Sequence, residues 1–488
     1  LTPLFFSTIY CSNNNNKSVF KYESIKPHPS AVGGMYIMNS AVKKSLLAIA
    51  ISGIVASPAV NATNGYFSHG FSTKEKGLAG AGAALSQDSM AAATNPAGMA
   101  FVGERMDLGL QLFMPSPRSY TVTGTPVAPG TDPNLPFGSA INAQPGVEVE
   151  SDNDWFLIPH FGYNWQLKND STIGVSVYGN GGMNTEYPAD STPFGAGTFG
   201  AGTAGISLAQ LFVNTTFAKK INDKHAFGGS LILVGQRFIG QGLDSFGAFS
   251  LDPNNMSGNI KSDSFGAGLK FGYQGEVAKG IRLGVSYQSK IDMSEFDEYA
   301  GLFAEGGDFD IPSTYTIGAS FDVGKSSVIV ADVQQINYSE VASISNPVNN
   351  LLTNCIPAPF SPSGSAEGAG CLGGSAGGGF GWEDMTIFKI GYQIDVNPKH
   401  TIRVGYSHAD QPIPESETFF NVLAPAVVED HFTAGWTMKV GNNQEFNLAG
   451  MYAPSNSVKG ANPIDGGSTQ IEIEMAQWDL QAGWAWKF

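Results

Sequence analysis

Ser407, His408 and Asp410 are of the types that a hydrolase combines: a hydroxyl to attack, an imidazole to take its proton and a carboxylate to orient the ring. Their spacing argues against that use. They lie at the end of an extended run, where successive side chains point to opposite faces and cannot converge. Val323-Gly324-Lys325-Ser326 has the tail of a phosphate loop, but the glycine needed five residues before Gly324 is Ala319, and no helix is expected to follow. The seven histidines show no metal-ligand spacing. The sequence is therefore read as that of a protein that is not an enzyme and needs neither metal nor cofactor.

Residues suited to binding are easier to find. EFDEYAGLFAEGGDFDIP (295–312) and ETFFNVLAPAVV (417–428) hold Tyr299, Leu302, Phe303, Phe419, Phe420 and Leu423 in segments that otherwise read as loops. Apolar residues gathered outside a core mark binding of an apolar ligand. Loops packed only on one another would have the same composition.

The elements that must position these loops follow from composition. Charged residues are 14% of the chain, little more than half the usual share of a soluble protein, while there are 61 Gly, 32 Phe, 16 Tyr and 7 Trp. Such a chain cannot cover several domains with a charged surface, so much of its exterior is expected to lie out of water. Residues 38–62, MNSAVKKSLLAIAISGIVASPAVNA, read as a signal peptide, with Lys43 and Lys44 before an apolar stretch and Val60-Asn61-Ala62 as the cleavage signal. Residues 1–37 precede that start methionine and are expected to be an untranslated or non-native extension. Loss of residues 1–62 removes five lysines and one glutamate, taking the formal charge from -16 to -20. Nucleic acid, which asks for clustered Lys and Arg, is excluded as a partner. Export also favours a disulfide between Cys355 and Cys371 in the segment NCIPAPFSPSGSAEGAGCLGG; two free surface thiols are the alternative.

After residue 62 no stretch is long and apolar enough for a spanning helix. Alternation is common instead. In DSFGAGLKFGYQG (263–275), Phe265, Ala267, Leu269, Phe271 and Tyr273 alternate with Ser264, Gly266, Gly268, Lys270 and Gln274. Fourteen such runs are joined by six short turns (near 166–170, 221–225, 277–280, 323–325, 397–400 and 441–443). Seven long segments lie between these turns, near 115–153, 180–204, 240–262, 289–310, 339–383, 409–428 and 453–473. Short turns on one side and long loops on the other predict a 14-stranded antiparallel transmembrane β-barrel over residues 104–488. The last run agrees: Trp478, Leu480, Trp484, Trp486 and Phe488 share one phase and Gln477, Asp479, Gln481 and Lys487 the other. Its terminal aromatic resembles the signal that barrel-assembly machinery reads. A secreted sandwich would need a second sheet over these faces, and the loop alternation gives no reason for one.

A barrel of fourteen strands encloses more space than side chains fill. Residues 63–103 precede the first strand and contain small residues, an Ala-rich stretch suited to a short helix (Ala91 to Ala93) and Asn95-Pro96 to stop it. They are read as a hatch inside the lumen.

With ATNPAG in that position, the chain resembles the FadL family of outer-membrane transporters for long-chain fatty acids and other hydrophobic compounds. LIPHFGYNWQL (157–167), IPSTYTIGASF (311–321) and EDMTIFKIGYQIDVNPKHTIRVGYSHADQPIPES (383–416) extend the likeness over nearly all of residues 63–488. The resemblance implies a Gram-negative outer-membrane location and a monomer among lipid and lipopolysaccharide. It also implies ligand capture by outer loops and lateral release through a kinked third strand. Here that strand is STIGVSVYGNGGM, and Gly179, Asn180, Gly181 and Gly182 are where it would break. Asn95, Pro96, Ala97 and Gly98 would face that kink, with Tyr66 and Phe67 as the part of the hatch that shifts. It further implies basic residues for a fatty-acid head group: Arg237 lies where one is expected, but Trp382-Glu383-Asp384 replaces the second, before the tenth strand. A neutral aromatic or aliphatic hydrocarbon is thus an alternative cargo, and an adhesin or phage receptor on the same barrel an alternative function.

Overall fold

Alternating apolar and polar residues make a strand with one face for lipid and one for the lumen, and the chain repeats this fourteen times. The computed structural model describes residues 64–133 and 135–488. The expected extension and signal peptide lie outside the described residues. The wall strands are β1 Arg105–Met114, β2 Phe156–Gln166, β3 Ser171–Asn184, β4 Gly205–Asn222, β5 His225–Gln241, β6 Ser262–Ala278 and β7 Ile281–Gln288. They continue with β8 Thr314–Val323, β9 Ser327–Ile336, β10 Met385–Asn397, β11 His400–His408, β12 Asp430–Val440, β13 Gln444–Ala461 and β14 Thr469–Lys487. Each pairs antiparallel with its sequence neighbours, and β14 returns to β1 in register from Arg105↔Lys487 to Met114↔Trp478. Closure pairs every strand on both sides, as a sheet surrounded by hydrocarbon requires, save where β2 and β3 part beyond Phe161↔Val177.

The outward phase is apolar: Leu231, Leu233, Ile317, Phe388, Val404 and Leu480 are all well exposed. The inward phase at the same levels is polar, with Ser230, Gln236, Lys389, Arg403 and Asp479 buried in the lumen. Among the described residues no helix is long and apolar enough to cross a membrane.

One expected loop is absent. Residues 453–473 read as a loop because they are polar, yet β13 and β14 run on and leave only 462–468 as a connection. The polar residues are the outer phase of a continuing strand: Gln470, Glu472 and Glu474 alternate with buried Ile471, Ile473 and Met475. Short strands Arg118–Gly124 and Glu148–Glu150 pair alongside this extension and prolong the sheet past the ring.

Hatch residues fill the lumen. Ala91–Thr94 forms one helical turn, and Asn95 ends it while capping the 3₁₀ turn Pro96–Phe101, its side chain accepting from Ala97 N at 3.1 Å. Pro96 fits the first position of that turn, where its missing N–H costs nothing. The Asn95 amide also donates to Ala83 O and to Tyr273 O of β6, both at 2.8 Å. Wall glycines make the dents that admit this turn: a Cβ on Gly272 would lie 2.0 Å from Asn95 Oδ1, and one on Gly228 2.4 Å from the Pro96 carbonyl carbon. This corrects the expectation for Asn95, Pro96 and Ala97. They seat against β5 and β6, not against the break at 179–182, because the matching dents are there. Gly98 sits at the same seat, where a Cβ would meet Ser86 Oγ at 1.7 Å.

Gly272→Val should therefore dislodge the Asn95–Pro96 turn without preventing barrel closure. The expected result is a heat-modifiable band of normal mobility together with raised ion conductance in planar bilayers; wild-type conductance would contradict this seating.

Candidate functional site

The hatch has a part fixed by buried ion pairs and a part held without them. In the fixed part Ser72 caps the helical turn Thr73–Lys76, accepting from Glu75 N at 3.2 Å. Lys74 pairs with Glu445 of β13 at 2.7 Å and Lys76 with Asp479 of β14 at 2.5 Å, all four side chains buried. Arg105 at the foot of β1 adds Asp107 at 2.7 Å and Glu445 at 3.3 Å. Across the lumen, Asp332 of β9 accepts from Gly82 N and Ala83 N at 2.8 and 2.9 Å. Removing one partner of a buried ion pair leaves an uncompensated charge, which costs about 3–5 kcal/mol.

The other part is residues 64–68, which are buried but carry no charged side chain, and the wall opens beside it. β2 pairs with β3 only from Phe161↔Val177 to Gln166↔Thr172. Beyond that level β2 stays with β1 as far as Phe156, while β3 stays with β4 as far as Asn184. β3 carries a register shift between Gly179 and Gly181, with Asn180 the extra residue. From Ser176 to Asn184 every residue is buried, so alternation between lipid and lumen has ended although the strand stays paired with β4. The hatch takes the edge that β2 vacates: Phe67 bridges Gly181, Ser68 N donates to Asn180 O at 2.6 Å, and Gly182 N donates to Tyr66 O at 3.0 Å. Gly181 permits the approach, since a Cβ there would lie 1.7 Å from Tyr66 O. Gly182 thus takes part in the contact and Gly179 lies on the near side of the register shift.

Above the hatch the long connections fold inward. An apolar cavity of about 500 Å³, its open mouth included, is lined by Ile206, Phe238, Leu243, Phe246, Leu302, Phe303, Phe380, Phe420 and Leu423 among others. Rings lead from it to the hatch tip. Phe303 lies 4.9 Å from Phe309, which is 6.3 Å from Tyr66, and Phe380 lies 6.1 Å from Trp382, which is 6.1 Å from Tyr66. The Tyr338 hydroxyl accepts from Tyr66 N at 3.2 Å and donates to Asn64 O at 2.6 Å. At the cavity's edge Ser343 Oγ donates to Asp308 O, and burial with Asp310 close by pushes the Asp308 carboxyl up to about 7. Glu417 joins two connections by accepting from Val348 N at 2.8 Å; burial pushes its carboxyl up.

The loop residues expected to be exposed are mostly buried. Tyr299, Phe303, Phe419, Phe420 and Leu423 are each at most 8% exposed and Leu302 is half-buried. Leu302, Phe303, Phe420 and Leu423 line the cavity. Tyr299 packs edge-on against Phe238 at 4.7 Å, and Phe419 supports Phe420 from behind at 5.3 Å. Arg237 is corrected: it points outward, half-exposed, in a two-point pair with Asp263 at 2.6 and 2.9 Å, because the inward phase of β5 is Ile232, Val234 and Gln236. Trp382 fills the place of the second expected cation and donates to Asn421 Oδ1 at 2.6 Å. Cys355 and Cys371 are joined as a disulfide. Sequence reasoning missed Phe238 and Phe246; the inward phase of β5 was the signal for the first, and none marked the second.

The hydrolase-like trio diverges. Ser407 faces the lumen, 2.7 Å from His69 Nε2, while His408 points outward to Asp430 at 2.9 Å. A G-x-S-x-G spacing does occur at residues 373–377, but in a connection with no strand leading into it. Among the described residues no His, Cys, Asp and Glu group could hold a metal ion.

Residues 54–462 match the family model described as Outer membrane protein transport protein (OMPP1/FadL/TodX). The chain belongs to this family. The FadL/TodX family consists of transport channels for hydrophobic small molecules in the Gram-negative outer membrane, and the fourteen-stranded barrel accords with that location. Solved structures share the fold. The Pseudomonas putida toluene transporter TodX is 17% identical with a TM-score of 0.60, covering 87% of this chain and 100% of its own. A Pseudomonas aeruginosa FadL homologue is 16% identical with a TM-score of 0.60, covering 89% and 100%. The Ralstonia pickettii toluene transporter TbuX is 16% identical with a TM-score of 0.55, covering 86% and 99%. Among curated protein sequences none matches the chain.

Lys76→Met should lower resistance to urea unfolding by about 3–5 kcal/mol, and Lys76→Met with Asp479→Leu should recover much of the loss, as expected when a buried pair is replaced by apolar residues. Equal losses for single and double variants would show that the ion pair does not hold the hatch.

Proposed function

We propose that this protein takes up hydrophobic compounds by capture in the apolar loop cavity and lateral release between β2 and β3 when residues 64–68 withdraw. The observation that carries this reading is that Tyr66, Phe67 and Ser68 satisfy the backbone edge of β3 that β2 leaves open. A route sideways has an advantage for such cargo, because an apolar molecule reaches lipid without crossing water. The fixed part of the hatch, tied by buried ion pairs, stays in the lumen and keeps ions out.

Long-chain fatty acids are the proposed cargo. A second reading, uptake of neutral hydrocarbons, is favoured by the absence of charged side chains from the lining of the loop cavity and by the outward turn of Arg237. Labelled oleate and labelled toluene, offered to cells with and without the protein, separate these readings; unchanged uptake of both would leave a surface receptor or adhesin. The lining also predicts a variant effect. Phe303→Ala with Phe420→Ala should raise the concentration for half-maximal uptake at least several-fold, since each ring removed gives up buried apolar contact. Deleting residues 63–97 should leave an assembled barrel that leaks ions and transports without selectivity, measured as a large open conductance; a tight barrel would overturn the hatch assignment.

A further inference from the structure

His69 follows the hatch tip directly and is the first residue there whose side chain can carry a positive charge. Its imidazole is buried against the wall. Nε2 lies 2.7 Å from Ser407 Oγ of β11, and the ring stacks on His431 of β12 with centroids 4.6 Å and planes 29° apart. Ser407 Oγ also lies 3.4 Å from His431 Nδ1. His69 Nδ1 is buried without a hydrogen-bond partner among the described residues. A ring nitrogen so placed costs less as a bare acceptor than as an N–H. The bonds therefore run from His69 Nε2–H to Ser407 Oγ and from the Ser407 hydroxyl to His431 Nδ1, with both rings neutral.

A further proton has no place in this arrangement. On His69 Nδ1 it would make a buried N–H facing no acceptor, and on His431 Nδ1 it would displace the Ser407 hydroxyl. The charged groups that act on His69 are cations: Lys76 of the hatch turn, already matched by Asp479, and Lys389 of β10, which donates to Gln334 Oε1 at 2.8 Å. Asp332 of β9 is taken up by Gly82 N and Ala83 N, and Asp430, next to His431 in sequence, pairs with His408 on the outer face. Burial first, then His431 and the two lysines, hold the His69 imidazole well below the usual histidine range. Beside the stack lies a polar cavity of about 450 Å³, its open mouth included, lined by Phe67 to Phe71 of the hatch and by Lys270, Asp332, Gln334 and Lys389 of the wall. It leaves room for His69 to part from Ser407 without any change in the barrel.

We propose that His69, Ser407 and His431 form an acid-released clasp at the root of the hatch tip: with both rings neutral it holds the tip beside β3, and protonation frees it. His69 is thus a positioning residue, acting through the tip it holds. The assignment rests on the transport reading, in which residues 64–68 withdraw, and adds a control on that step. A freed imidazole takes up its proton near pH 6.5, whereas the clasped one does so only at lower pH. The clasp is therefore intact above about pH 6.5 and weakens as pH falls below it, the freed fraction rising by up to about tenfold per pH unit for each proton taken up.

The test is fluorine-19 NMR of the purified full-length protein in detergent micelles, labelled with 5-fluorotryptophan and titrated from about pH 7.5 to about pH 5, a range that spans the free imidazole. Trp382, 6.1 Å from Tyr66, reports on the tip, and Trp382→Phe assigns its signal. In wild type a second Trp382 signal should appear below about pH 6.5 and grow as the pH falls. His69→Gln keeps a donor for Ser407 but cannot titrate, and should lose most of this response. A wild-type signal that does not change with pH, or a full response in His69→Gln, overturns the clasp. Uptake of labelled toluene, which has no titrating group, is measured over the same range. A second signal with uptake unchanged leaves the clasp standing and overturns tip withdrawal as the step in transport. Should His69→Gln not assemble, judged by heat-modifiable mobility, the wild-type titration and His431→Gln, expected to respond less steeply than wild type, still decide.

Discussion

A backbone surrounded by hydrocarbon has no water to bond with, so each strand of a membrane barrel must be paired on both sides. This protein meets that demand around the ring except between β2 and β3, and there its own N-terminal segment supplies partners to β3 at Asn180 and Gly182. The exception organises the rest. β3 parts from β2 while staying paired with β4, the register shift being absorbed at Gly179–Asn180–Gly181, and Tyr66 and Ser68 bond to its open edge at Gly182 and Asn180.

The proposed withdrawal of the tip requires that the remainder of the hatch stays in place. Two kinds of contact share that task. Buried ion pairs to β13 and β14 fix the helical turn at Thr73–Lys76, and the Asn95–Pro96 turn locks into dents at Gly228 and Gly272. The tip carries no charged side chain and has only the second kind, at Gly181; otherwise it is held by backbone hydrogen bonds, by the Tyr338 hydroxyl and by aromatic rings that reach up to the loop cavity. An apolar ligand entering among those rings would compete for the same contacts.

Much of this was legible in the sequence. Alternation gave the strand number and the phase of each face, the short and long gaps gave the two sides, and the glycine cluster marked the break in β3. Where the reading failed, the missing information was of two kinds. For Arg237 it was present, because Leu231 and Leu233 put the odd positions of β5 toward lipid and Arg237 shares their phase. For Asn95 and the loop aromatics it was not local. The seat of Asn95 depends on glycines about 130 to 180 residues away in sequence, and the burial of Phe419 depends on Phe199 and Phe246 from two other connections.

The central claim is that residues 64–68 must leave the edge of β3 for cargo to pass. Ser68→Cys with Asn180→Cys places two thiols on segments joined by the Ser68 N to Asn180 O hydrogen bond, in a chain whose native disulfide provides the wild-type control for reductant. Oleate and toluene uptake by the oxidised variant should fall to the level of cells lacking the protein and return on reduction, with wild type unaffected by either treatment. Full uptake with the cross-link formed would contradict the claim.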